Sequence, residues 1–185
     1  MLIAFVGVVV AGVVWGIGVA VGVSLLSFLN RAWRPHATEL VRIEGVSGYH
    51  DIDRHPEGDQ IDGLLLFRFD APLFFANADG FRTALLDRTA NEGPIRWVVV
   101  TAEPITDIDA TAELTIRQLH AELAERGTRL AFAELKGVVR DQISRSGTVG
   151  LIGADYFFPT VGVAVAAYVA ESGIDWVDWK DQPGP

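Results

Sequence analysis

The chain has 185 residues, enough for one sizeable core and too few for two comfortable domains. It contains no cysteine, which excludes disulfides and thiolate metal sites. Of its 15 basic residues two, Arg31 and Arg34, precede Pro35, so the remaining 13 face all 24 acidic residues from that point onward. The resulting net charge of -11 argues against a nucleic-acid or anionic-lipid surface, which needs a basic patch.

From Met1 to Asn30 there is no charged side chain, and Leu2 to Leu29 is almost wholly apolar or small. At about 1.5 Å per residue such a helix is on the order of 40 Å long, against a hydrocarbon core of roughly 30 Å. The basic n-region, short apolar core and cleavage site of a secretory signal are lacking, so a retained transmembrane helix over 1–34 is expected. Arg31 and Arg34 orient it, placing the C-terminal domain on the cytoplasmic side of the plasma (bacterial inner) membrane as a single-span protein. Gly12, Gly16, Ala20 and Ser24 recur every fourth residue, and Gly18 and Gly22 form a second stripe. Stripes of this kind suit close packing against other helices, although glycine is also simply commoner in membrane helices. No other segment reads as a span, so the partner helices are expected from other subunits, a second copy included, or from a longer membrane protein of which this is the tail.

Residues 35–60 form a polar, turn-rich connector with short extended pieces around Leu40–Ile43 and Tyr49–Asp53. Beyond it the pattern turns regular. "GLLLFRF" at 63–69 suits a buried strand, and Asn77 can cap a helix over 78–91. A strand at 95–102 precedes a helix over 110–126 that ends at Gly127. The scheme repeats with a strand at 128–135, a helix over Gly137–Arg145, a short strand at 155–158 and an apolar helix over 160–171. Strands alternating with helices imply an α/β domain over 61–172, with a mostly parallel central sheet flanked by helices. A tail at 173–185 follows, with Trp176 and Trp179 expected to pack back on the domain.

Candidate chemistry gathers at the carboxyl ends of the strands, which collect 70–77, 101–111 and 134–137. Asp107 and Asp109 in "PITDIDATAE" resemble an acid/base pair, but a threonine nucleophile at 111 needs a base. The nearest histidine, His120, lies nine residues on, about 13 Å along the same helix. A Mg²⁺ site from Glu103, Asp107 and Asp109 lacks any phosphate-binding loop beside it. The structural reading is stronger: Asp109 caps the helix, Asp107 sits on its approach, and Thr111 lies in the first turn, where a phosphate would meet both amide donors and acidic neighbours. In "HDIDRH", Asp51, Asp53 and His55 would share one face of an extended strand, as metal ligands or as a solvated polar edge. Phe74 and Phe75 are core or staple residues, or with Asn77 a docking point for a partner. No catalytic residue, metal or cofactor is assigned, and an enzyme is not expected.

"LLSFLNRAWRPH", "YHDIDRHPEGDQIDGLLLFRFDAPLFFANAD", "ITDIDATA", "LAFAELKGVVRDQI" and "GADYFFPTVGVAV" together resemble the C-terminal end of SulP anion transporters. That end comprises a last membrane helix and a cytoplasmic STAS domain, the fold shared with bacterial anti-sigma factor antagonists. The resemblance implies a regulatory, interaction role in sulfate or anion transport, partnered by the remaining transporter helices and without transport by this chain alone. It also places Thr111 where the antagonists carry their phosphorylated serine, although two serines and a glycine follow the aspartate there and "ATA" follows it here. The alternative it implies is a membrane-tethered, antagonist-like protein switched by a kinase and binding a cytosolic partner.

Overall fold

The computed structural model describes residues 13–33, 35–91 and 93–178. The chain divides into two units between Pro35 and His36. In the first, α1 (Val13–Trp33) is a helix whose large apolar side chains, among them Val14, Trp15, Leu26 and Phe28, are exposed. Residues 1–12 of the expected span lie outside the described residues. Among the described residues no helix is long and apolar enough to cross a membrane.

The second unit is built on a six-stranded sheet in the order β2-β1-β3-β4-β5-β6. Its strands are β1 (Ala37–Arg42), β2 (Tyr49–Asp51), β3 (Leu64–Phe69), β4 (Trp97–Thr101), β5 (Arg129–Ala133) and β6 (Phe157–Phe158). β3 to β6 run parallel, and β1 is antiparallel to both of its neighbours. The apolar runs of β3, β4 and β5 are the mark of strands covered on both faces. Leu65, Phe67, Val98, Val100, Leu130 and Phe132 point to one face. There they meet α2 (Ala78–Asn91), α3 (Ala110–Glu125), α4 (Gly137–Arg145) and α5 (Thr148–Ile152) through Phe81, Leu85, Ile116, Leu119, Val139 and Ile143. Leu64, Leu66, Val99, Ala131 and Ala133 point to the other face, against Val161, Ala164, Val165 and Tyr168 of α6 (Val161–Ser172).

Local chemistry sets the helix ends. α3 stops in a paired turn at Gly127, which takes a left-handed φ of 73°; the Gly127 amide donates to the Ala124 carbonyl and the Thr128 amide to that of Leu123. α6 starts at Thr160, whose hydroxyl accepts from the Val163 amide at 3.2 Å. The phenol of Tyr168 crosses to the turn before β3, donating to the Asp62 carbonyl at 2.6 Å. It occupies the space a side chain at Gly63 would fill, and Gly63 has a φ of 75° besides.

Two stretches differ from the pattern read in the sequence. In 35–60 the extended pieces expected around Leu40–Ile43 and Tyr49–Asp53 are β1 and β2, but they belong to the central sheet and not to a connector, and β1 sits inside it with Thr38 opposite Arg68 and Leu40 opposite Asp51. Only Leu40 and Val41 form an apolar core there, so the local signal is weak and sheet pairing decides the outcome. The helix α5 is five residues long and opens after Gly147, where φ is 86°. The tail returns to the domain: Trp176 packs on the α6 side of the core, and Asp178 binds the buried Arg42 at 2.7 Å. Trp179 lies outside the described residues.

Phe132 is fully buried and stacks on Phe157 with ring centroids 5.4 Å apart. Phe132→Ala is expected to cost about 3–5 kcal/mol of unfolding free energy, measured by urea titration of tryptophan fluorescence.

Candidate functional site

Three loops converge where the parallel strands end. The turn after β3 and the turn after β4 lie side by side as a short parallel bridge, Leu73 opposite Ile108. The Leu73 amide donates to the Asp107 carbonyl at 3.0 Å, and the Asp109 amide to the Leu73 carbonyl at 3.1 Å. Leu73, Ile105 and Ile108 are buried beneath this bridge, which anchors the loop in the core.

Asp109 is the junction. Its Oδ1 accepts from the Ala112 amide at 2.8 Å and caps α3, while its Oδ2 accepts from the Phe75 amide at 2.8 Å. One carboxylate therefore satisfies free donors of two different segments, and the helix dipole favours its charge there. Asp107 turns inward on its own loop, Oδ1 accepting from the Ile108 amide at 2.9 Å. Asn77 closes the other side: its Oδ1 accepts from the Phe74 amide at 3.0 Å and its Nδ2 donates to the Pro72 carbonyl at 2.9 Å. α2 begins at the following residue.

Both aspartates thus accept from backbone amides and hold the loop in place. Thr111 is exposed in the first turn of α3, its carbonyl accepting from the Thr115 hydroxyl at 3.0 Å. His120 is half-buried further along the helix, where burial lowers its pKa. Glu103, Asp107 and Asp109 do not converge as a ligand set; among the described residues the one such group is His36, Asp51 and Asp53. Phe74 is half-buried and stands edge-on to Phe75, which is 69% exposed. Leu114 at 56% and Val138 at 80% are further exposed apolar side chains at the starts of α3 and α4.

Gln142, Ser146 and Thr148 join the site unannounced by the sequence. Gln142 of α4 donates to the Ile108 carbonyl, and Glu113 of α3 accepts from the hydroxyls of Ser146 and Thr148. These bonds span more than thirty positions, and no local pattern marks them.

"HDIDRH" does not form the extended strand on which Asp51, Asp53 and His55 would share a face. β2 stops at Asp51, because Asp51 Oδ1 accepts the Asp53 amide at 2.9 Å and its carbonyl accepts the His55 amide, closing a turn. His55 swings to Glu57 at 3.1 Å. The partner of Asp51 is instead His36, Nε2 to Oδ2 2.7 Å, with the Thr38 hydroxyl donating to Oδ1 at 2.7 Å. Burial opposes ionisation of Asp51, but the bonds from Thr38, His36 and the Asp53 amide outweigh it and hold the pKa at about 2.

A parallel core closed by an antiparallel pair, carrying at its strand ends a loop pinned through backbone amides, defines the class as an α/β module with helices on both faces of its sheet. Residues 55–164 match the STAS domain, and the chain belongs to that family. Over 158 residues it is 38% identical to a probable sulfate transporter of Mycobacterium tuberculosis, covering 85% of this chain and 28% of that protein. Its fold is similar to that in the murine Solute Carrier 26 family member A9 anion transporter, with a TM-score of 0.78 at 17% identity, over 91% of this chain and 28% of that one. The STAS domain of a SulP transporter from Vibrio cholerae gives a TM-score of 0.54 at 18% identity, over 66% of this chain and 93% of that one. The chain spans little more than a quarter of the length of the first of these relatives.

Asp109→Ala is expected to remove about 1–2 kcal/mol of stability and to raise amide exchange at Phe75 and Ala112 together, read by hydrogen exchange. For Asp51 the folded pKa of about 2 lies below the ordinary 3.8. Its stabilisation is complete above the ordinary value and is lost as pH falls through the folded one. In Thr38→Val the folded value moves back toward 3.8, so the acid loss should be smaller and complete at higher pH, as seen by urea unfolding between about pH 2 and 5.

Proposed function

We propose that the chain is the regulatory and interaction domain of a SulP-type sulfate or related anion transporter, tethered to the membrane through residues 1–34 and incompetent for transport alone. The observation that carries the reading is the pinned loop. Asp109 fixes Phe75 and the start of α3 with one carboxylate, beside an exposed Thr111 and the exposed Leu114 three residues on, on the same helix face. An apolar surface held on a rigid frame suits protein contact. The kinship with sulfate transporters, the uncharged run 1–30 and the basic residues that follow it support the tether and a cytoplasmic domain. The partner is the membrane-embedded unit of a transporter, and Thr111 is the position at which a kinase would regulate the contact. The domain catalyses no reaction of its own.

Proteoliposomes holding this chain alone should take up no more sulfate than empty vesicles. When the membrane helices of a SulP transporter lacking its own STAS domain are reconstituted with the chain, uptake should change, and Phe75→Asp should abolish the change. Saturable uptake by the chain alone, or uptake indifferent to its presence, sinks the reading.

A further inference from the structure

Where β1 starts and β2 ends, beside the carboxyl end of β3, three side chains with metal-binding atoms converge. One ligand atom from each of His36, Asp51 and Asp53 lies within 4.8 Å of the others. We propose that these three residues bind a divalent cation of the zinc class, a site independent of the transporter reading above.

Asp51 is the fixed element. It is buried, its Oδ1 is held by the Thr38 hydroxyl at 2.7 Å and the Asp53 amide at 2.9 Å, and its Oδ2 is left facing His36. A ligating carboxylate whose other oxygen is hydrogen-bonded has the support that such sites use to orient their ligands. His36 and Asp53 are exposed and adjustable. Cation-bound nitrogen and oxygen atoms sit at about 2.0–2.2 Å from zinc, so a modest inward swing of these two side chains closes the set, with the ion replacing the proton shared by His36 and Asp51.

The charges agree. Arg68 approaches from β3, its Nη2 3.8 Å from Asp51 Oδ2, but its guanidinium is engaged by Asp70, Nε to Oδ1 2.8 Å. Two carboxylates therefore face one imidazole with the nearest cation already neutralised. Imidazole in the set selects zinc, cobalt or nickel over magnesium and calcium, which take oxygen ligands. The bound ion would tie His36, the first residue of the domain, to the end of β2 and the turn behind it.

Isothermal titration calorimetry of the full chain in detergent with Zn²⁺ is the test. One class of site is expected, weakened at least about tenfold in Asp53→Asn and in His36→Gln and unchanged in His55→Gln, with Mg²⁺ far weaker. Both weakened variants alter exposed side chains, and circular dichroism checks that they remain folded. Zn²⁺ should raise the thermal midpoint of the wild type and not that of Asp53→Asn. Absence of Zn²⁺ binding by the wild type, or binding that survives in both Asp53→Asn and His36→Gln, overturns the proposal. An equal loss in His55→Gln overturns it too, since the ion would then use a different histidine.

Discussion

β4 has no exposed side chain: Trp97 to Thr101 are all buried, and Val98, Val99 and Val100 are completely so. A strand in that position needs hydrogen-bonded neighbours on both edges and helices over both faces. β3 and β5 supply the edges in parallel register, and parallel neighbours must be joined by crossovers, which brings α2 and α3 onto one face. The chain then has to cover the opposite face, and α6 does so after β6 completes that edge. Two aromatic clusters record the result, Phe132 on Phe157 on one side and Trp97 edge-on to Tyr156 and Tyr168 on the other.

Parallel strands also decide where loops can be held. All four end on the same edge, so the turns after β3, β4 and β5 meet there, and their backbone groups must be satisfied locally. Asp109 solves this for two segments at once, and Asn77 solves it for a third stretch, Pro72 to Phe74. Glu134, immediately after β5, takes a left-handed φ of 62°, a conformation held by its surroundings since its amide is bonded to Phe158. The donors of this edge are spoken for, and the exposed Phe75 stands on a loop held by those bonds.

Much of this was legible in the sequence, and the reason is physical. Runs such as "GLLLFRF" and "IRWVVVTA" are apolar without a break because they are covered twice, and Gly127 and Asp109 punctuate α3 through local chemistry. The pairing that makes β1 and β2 strands is not local. The buried Arg42 is neutralised by Asp178, 136 positions away, besides donating to the Val46 and Gly48 carbonyls, and the buried Thr38 hydroxyl donates to Asp51. The same holds for His36: nothing near it in sequence points to Asp51, whereas the neighbouring "HDIDRH" invites a grouping that its own turn breaks. Gln142, Ser146 and Thr148 were silent for that reason as well.

The shared carboxylate of Asp109 also constrains how a charge at Thr111 can act. The amide of Ala112, a natural anchor for phosphate at a helix start, is already bonded to Asp109, and Glu113 is committed to the hydroxyls of Ser146 and Thr148. A phosphate on Thr111 would have to displace Asp109 or stand beside it, and like charges at that separation repel. Displacing Asp109 from Ala112 also loosens its hold on Phe75, because both bonds belong to one carboxylate. Added charge would therefore act by releasing the loop that carries Phe75, not by tightening the helix, so the exposed Phe75 and the Thr111 position are coupled through a single side chain.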